Sequence, residues 1–180
     1  MNVASPEQVV LLDDAGRTIG SALKSDVHHA ATPLHLAFSC YLFDDRDRVL
    51  LTRRALHKKT FPGIWTNSCC GHPAPDESPS EAVTRRVREE LGVEIAELRC
   101  VLPDFRYHAV AADGVVENEV CPVYCGRAVG PVRADADEVM DYAWVPWAQL
   151  HTAVRLPWAI SPWAAEQVPL LEAAGIGRRG

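Results

Sequence analysis

Between Ser78 and Gly92 the chain writes out both ends of a helix and its buried face, and this constrains the fold more than any other stretch. Ser78 is placed as the N-cap and Pro79 takes the first helical position, where its missing N–H is not needed. Glu81 stands three residues after the cap, and Gly92 lies just past the end. Inside these limits Val83, Val87 and Leu91 recur at steps of four and give a core-facing stripe, with Arg86 and Glu90 one turn apart on a neighbouring stripe. Glu90 can then face a pocket beside Arg86, or the two can form an exposed ion pair, which is the commoner fate of such a pair on an isolated helix.

Much of the remaining chain reads as strands. Val9 to Leu12, the turn Asp13-Asp14-Ala15-Gly16 and a return beginning at Ile19-Gly20 predict a first hairpin. Leu34 to Phe43 is the strongest strand signal, aromatic-rich and closed by Asp44-Asp45, with Val49-Leu50-Leu51 as its partner beyond the turn. Phe61-Pro62-Gly63-Ile64-Trp65 reads as a turn leading into Thr66-Asn67-Ser68-Cys69-Cys70-Gly71-His72-Pro73, where a thiol stands two residues from an imidazole. Val115 to Val123 reads as one strand whose alternation turns Glu117, Glu119 and Cys121 to one face and Asn118 and Val120 to the other.

Two acids on one strand face are usually solvated. This chain also offers His28, His35 and His72, and imidazoles with carboxylates suit a divalent-metal cage. Taken singly, each histidine is more often a surface or hydrogen-bonded core residue. Near the end of the chain Ser161 and Pro162 stand in helix-start positions, and an aromatic there, such as Trp163, can line a pocket. Trp144, Trp147 and Trp158 read as core filling, and 175–180 as a frayed tail.

With 180 residues, 48% of them apolar, one compact domain spanning 1–180 can bury a core without staples. Eighteen basic against 24 acidic residues leave a net charge of -6, which argues against nucleic acid or an anionic membrane as the main partner and favours a small substrate. No apolar run approaches the roughly 18 residues that would span a bilayer. The opening Met1-Asn2-Val3-Ala4-Ser5-Pro6-Glu7 lacks a basic stretch followed by an apolar one. A soluble, cytoplasmic monomer is the expectation. Six cysteines (Cys40, Cys69, Cys70, Cys100, Cys121, Cys125) match three disulfides in number, but free thiols are the better reading for a chain of this length without a visible leader. Cys121 and Cys125 are four apart without a second pair at zinc-finger spacing, a weak signal for structural zinc.

From Gly71 the chain runs through five residues to Glu77, through seven more to Arg85, and on through Arg86-Val87-Arg88-Glu89-Glu90-Leu91-Gly92. This resembles the Nudix box with one substitution: Arg86 stands where the pattern expects a glutamate that helps hold a metal for pyrophosphate cleavage. Several further segments fall in order along the chain. They are Leu34-His35-Leu36-Ala37-Phe38, Thr52-Arg53-Arg54-Ala55, Thr66 to Pro73, Asp104-Phe105-Arg106-Tyr107, Glu117-Asn118-Glu119-Val120-Cys121-Pro122-Val123 and Ser161-Pro162-Trp163. Together they resemble the type 1 isopentenyl-diphosphate isomerases over about residues 7 to 165.

The resemblance implies an α/β (α+β) Nudix-like fold, a mixed β-sheet packed between helices. It also implies interconversion of isopentenyl and dimethylallyl diphosphate with divalent metal. Carried over by motif, Cys70, which directly precedes Gly71-His72, and Glu119 match the catalytic cysteine and glutamate, with Tyr107 hydrogen-bonding near Glu119. His28, His35, His72, Glu117 and Glu119 match the ligands of one metal (Mn2+, Mg2+ or Zn2+), with His28 chosen over His29 by its seven-residue spacing from His35. Glu90 matches the acid that holds a diphosphate-bridging Mg2+, and Lys24, Arg54, Lys58 and Arg86 match the residues that grip the diphosphate.

These residue types suit an alkene proton shift, which needs an acid and a base on either side of the carbon chain. A free thiol with a pKa of about 8.5 can stay protonated at neutral pH, and a desolvated aromatic face, here that of Trp163, can stabilise a carbocation by about 2 kcal/mol. Two other readings compete: a Nudix pyrophosphohydrolase, against which Arg86 counts, and a non-catalytic module that binds metal or diphosphate.

Overall fold

The computed structural model describes residues 7–177, and among these the chain forms two mixed β-sheets and four α-helices. In chain order, β1 (Gln8–Leu12) and β2 (Thr18–Leu23) make the expected hairpin and lead into the single turn α1 (Lys24–Val27). Next come β3 (His35–Leu36), β4 (Phe38–Phe43), β5 (Arg48–Arg54), β6 (Trp65–Thr66) and β7 (Cys69–Gly71). Helix α2 (Pro79–Leu91) is followed by β8 (Glu94–Leu102), β9 (Arg106–Val110), β10 (Val116–Val120), β11 (Val123–Val129) and β12 (Val139–Pro146), then α3 (Trp147–Ala153) and α4 (Pro162–Ala173).

One sheet has the order β2-β1-β3-β10-β9; the other runs β12-β5-β4-β11-β8, with β6 and β7 paired onto β5 and β4. Leu34 to Phe43 and Val115 to Val123, each read as one strand from sequence, are each broken and shared between the two sheets. The first breaks at Ala37, whose N–H donates to Val120 O at 2.9 Å; the second breaks at Cys121-Pro122. Pro122 has no N–H to continue a ladder, and its carbonyl instead accepts from Ser39 N at 3.1 Å. The two broken strands lie side by side, β3 parallel to β10 and β4 parallel to β11, so the chain changes sheet twice at the same place.

Helix α2 begins and ends where its sequence said. Ser78 and Glu81 form a reciprocal capping box, and Gly92 closes the helix in the left-handed conformation at φ 63°. Ala82, Val83, Val87 and Leu91 bury their stripe against Phe38, Cys40, Leu42, Leu50 and Cys69 of the second sheet. The other face of that sheet, with Tyr41, Val49 and Val123, packs with Leu150 of α3 and Trp163, Val168 and Leu171 of α4. Buried packing therefore continues past residue 165. Ile176, expected in a frayed tail, is 5% exposed, and its N–H donates to Leu171 O at 2.9 Å. Residues 178–180 and Met1–Pro6 lie outside the described residues. Trp147 is buried as expected, but Trp158 is 79% exposed, because the turn in which Ala159 N donates to Leu156 O carries its ring outward. Among the described residues no helix is long and apolar enough to cross a membrane.

Candidate active site

The seam between the two sheets opens into a cavity of about 840 Å3. Strand pairing sets its first wall: Glu119 on β10 is in register with His35 on β3 and with Tyr107 on β9, so the three lie in one row across the sheet. His72 follows β7, and His28 follows α1. Ligand atoms of His28, His35, His72 and Glu119 all lie within 4.8 Å of one another. His35 Nε2 is 3.2 Å from His72 Nε2, and each of these nitrogens reaches Glu119 Oε1, at 3.4 and 3.2 Å. Pro33 O sits 2.9 Å from His35 Nδ1 and so fixes that nitrogen as the protonated one, leaving Nε2 with its lone pair toward the cluster.

His28 Nε2 is 3.2 Å from Glu117 Oε2, yet neither buried atom makes a hydrogen bond. Three imidazoles and the Glu119 carboxylate converging in this way, with Glu117 beside His28, fit a divalent cation. Of the two neighbouring histidines, the buried His28 enters this group, while His29 is exposed and its Nδ1 accepts from Ala31 N at 3.0 Å. Burial works to raise the Glu119 pKa, but the His35 and His72 imidazoles set against it outweigh that and hold the group well below the usual carboxylate range.

The second wall comes from the other sheet. Alternation along β7 turns Cys69 into the core beneath α2 and Cys70 to the cavity. Burial pushes the Cys70 thiol up to about 11, which keeps it protonated at neutral pH. Trp163 closes the floor. Its ring lies 5.6 Å from Tyr107 and 5.4 Å from Phe61, with the Arg54 guanidinium 5.9 Å above its face. Tyr107, expected to hydrogen-bond near Glu119, reaches the same cavity, and no hydrogen bond joins its side chain to Glu119 among the described residues. Facing Glu119 across β9 and β10, it stacks on Phe105 at 6.1 Å.

One end of the cavity is charged. Arg86 and Glu90 are buried against each other, 8% and 7% exposed, so the pair on α2 faces the pocket and not solvent. Gly71 permits this approach, since a Cβ there would lie 2.9 Å from the Phe38 ring and 3.1 Å from Arg86 Cγ. Burial raises the Glu90 pKa against the opposing pull of Arg86. Lys24, Arg54 and Lys58 line the same end. Each basic group already has a polar partner: Lys24 pairs with Glu7 at 2.6 Å, Lys58 with Glu138, and Arg86 also meets Glu138 at 3.3 Å, while Arg54 donates to Thr60 O at 3.0 Å. Glu7 and Glu138 were not singled out from the sequence, because no periodicity or motif marks them. Cys121 Sγ lies 3.4 Å from Ser39 Oγ.

The NUDIX domain family model matches residues 33–171, most of the chain. A protein of Mycolicibacterium vanbaalenii named isopentenyl-diphosphate Delta-isomerase is 78% identical over 173 residues, covering 96% of this chain and 96% of the relative. The chain belongs to the isopentenyl-diphosphate Delta-isomerase family. A family member from Clavibacter michiganensis is 58% identical, over 92% of this chain and 86% of its own length. Among solved structures, a Deinococcus radiodurans protein superposes with a TM-score of 0.72 at 19% identity, over 91% of this chain and 98% of its own. The MutT protein of Methanosarcina mazei gives 0.60 at 20% identity, over 82% and 97%. At such identities these two neighbours establish the fold that the isomerase family shares with Nudix proteins, and nothing about chemistry.

Proposed function

We propose that this protein interconverts isopentenyl and dimethylallyl diphosphate, moving a double bond by one carbon through a tertiary carbocation. The observation that carries the reading is one cavity lined by Cys70 and Glu119 from different sheets, by Trp163 and by a group of basic residues. Relatives of high identity bear the isomerase name.

In the forward direction one group protonates the terminal alkene carbon and the other removes a proton from the carbon nearer the diphosphate; in reverse they exchange roles. The Cys70 thiol and the Glu119 carboxyl, with Tyr107 beside it, supply the two sides. Neither forms a covalent bond to substrate. The Trp163 face stabilises the cation without trapping it, and the aromatic enclosure keeps out the water that would turn the cation into an alcohol. Lys24, Arg54, Lys58 and Arg86 grip the diphosphate by exchanging their present partners, acidic for all but Arg54, for phosphoryl oxygens.

His28, His35, His72, Glu117 and Glu119 would hold one divalent ion (Mn2+, Mg2+ or Zn2+), and Glu90 would hold an Mg2+ at the diphosphate end. Bound there, such ions neutralise clustered acids and phosphoryl charge. A net charge of -6 favours a small substrate over nucleic acid or an anionic membrane. Pyrophosphate hydrolysis is disfavoured by Arg86, which occupies the box position of a metal-binding glutamate and pairs with Glu90.

The test is to incubate protein, isopentenyl diphosphate and Mg2+ in deuterated water, following product by NMR and released phosphate in parallel. Deuterated dimethylallyl diphosphate is the expected result. Phosphate release would instead make the protein a hydrolase, and binding without either product would make it a non-catalytic module. Cys70→Ala and Glu119→Gln should each abolish the deuterated product while cooperative thermal unfolding is retained; folded variants of undiminished activity would remove the assigned roles.

A further inference from the structure

Asn67, between β6 and β7, is fully buried and bonded to two groups that the isomerase reading assigns to the reaction, so the inference drawn from it rests on that reading. Its amide nitrogen donates to Cys40 O at 3.0 Å and to Cys69 O at 2.8 Å. A carbonyl can only accept, so both amide hydrogens are committed and the Oδ1 end is forced to point the other way. There Oδ1 accepts from the Trp163 indole Nε1 at 2.9 Å and from Cys70 Sγ at 3.2 Å. Thr66 Oγ1 donates to the same oxygen at 2.8 Å and lies 2.8 Å from Ser161 Oγ. The indole N–H can only donate, and the thiol shares the oxygen with it and with Thr66. Residues 96 apart in sequence thus meet through one atom.

We propose that Asn67 is a positioning residue for the isomerisation: its Oδ1 holds the Cys70 thiol and the Trp163 ring in one fixed relation, so that proton transfer and cation stabilisation act on the same stretch of substrate. A thiol on a strand has three staggered directions open to it, and only an outside partner selects among them. On its other side Cys70 Sγ meets Ser39 Oγ at 3.6 Å, and that hydroxyl in turn accepts from Gln167 Nε2 at 2.9 Å. The sulfur is therefore held between a fixed acceptor and a fixed hydroxyl. The donor half of Asn67 ties β4 to the segment carrying Cys69; the acceptor half ties α4, through Trp163, to the Cys70 thiol.

The experiment measures kcat and KM for isopentenyl diphosphate, thermal unfolding, and the 1H–15N indole resonance of Trp163, assigned by its absence from Trp163→Phe. In a folded Asn67→Ala protein kcat should fall about 100-fold, the loss that a displacement of about 1 Å brings. KM should stay within about twofold of wild type, because the basic end of the cavity is untouched, and the indole proton should move upfield as its hydrogen bond is lost. In a Trp163→Phe background the same substitution should cost much less. Wild-type kcat in folded Asn67→Ala, or an unmoved indole resonance, would overturn the proposal. If Asn67→Ala does not fold, Asn67→Ser, too short to reach both the indole and the thiol, carries the test: a fall of about tenfold in kcat at constant KM with a displaced indole resonance supports the role, and wild-type kcat ends it. A wild-type protein that gives no isomer defeats the isomerase reading itself, a result distinct from losses confined to the variants.

Discussion

At the scale of single residues, the site separates into groups set by strand register and groups set by chemistry that no local pattern encodes. Trp163 belongs to the proposed reaction through its ring, so Trp163→Phe should retain more activity than Trp163→Ala. A cation–π contribution of about 2 kcal/mol corresponds to about 30-fold between the two variants; equal rates would remove the aromatic from the mechanism. The Cys70 thiol makes a separate prediction. With its pKa raised by burial to about 11, the protonated form dominates from neutral pH up to that value and is lost only as pH rises through it. Alkylation of Cys70 by iodoacetamide should therefore be slow at pH 8 and accelerate toward about 11; rapid alkylation at neutral pH would contradict the burial seen here. Alternation and motif spacing brought Glu117, Glu119, Cys70 and His28 within reach of sequence reasoning. Glu7, Glu138 and the Asn67 hub were not, because their partners lie far along the chain: Lys58 and Glu138 are 80 residues apart.

At the scale of elements, α2 was the most legible and the two broken strands the least. Helix ends are chosen by local hydrogen bonding, which sequence records. Ser78→Ala removes an N-cap and should cost about 1 kcal/mol. Gly92→Ala, at φ 63° with the new Cβ 3.0 Å from Arg133 Cβ, should cost about 1–2 kcal/mol. Urea unfolding of both variants checks this, and unchanged midpoints would show that tertiary packing, not the caps, holds α2. By contrast, a run such as Leu34 to Phe43 has the same strand propensity whether its two halves share a sheet or not. Ala37 changes sheet because Val120 and Pro122 offer it and Ser39 their carbonyls, and those partners lie more than 80 residues away.

At the scale of the molecule, the fold was readable as a Nudix-like α/β domain, while its division into two sheets was visible only in three dimensions. The clustered imidazoles and carboxylates bear on the stability of the whole domain, because a cation that binds only the folded state stabilises it by about 2.7 kcal/mol at 100 times its Kd. Adding Mn2+ or Zn2+ to chelator-treated protein should raise the unfolding temperature, and His35→Ala or Glu119→Gln should abolish the rise. A wild-type temperature that does not move with either ion would take the cage away.

The parallel pairings of β3 with β10 and of β4 with β11 also have a consequence for biosynthesis. Each joins segments about 80 residues apart, and such contacts form late because loop closure must be met before they reward it. His35 leaves the ribosome long before Glu119, and Cys70 long before Trp163. A nascent chain therefore carries its thiols and imidazoles without the enclosure that later covers them, and the proposed chemistry becomes available only after α4 has been made and has docked.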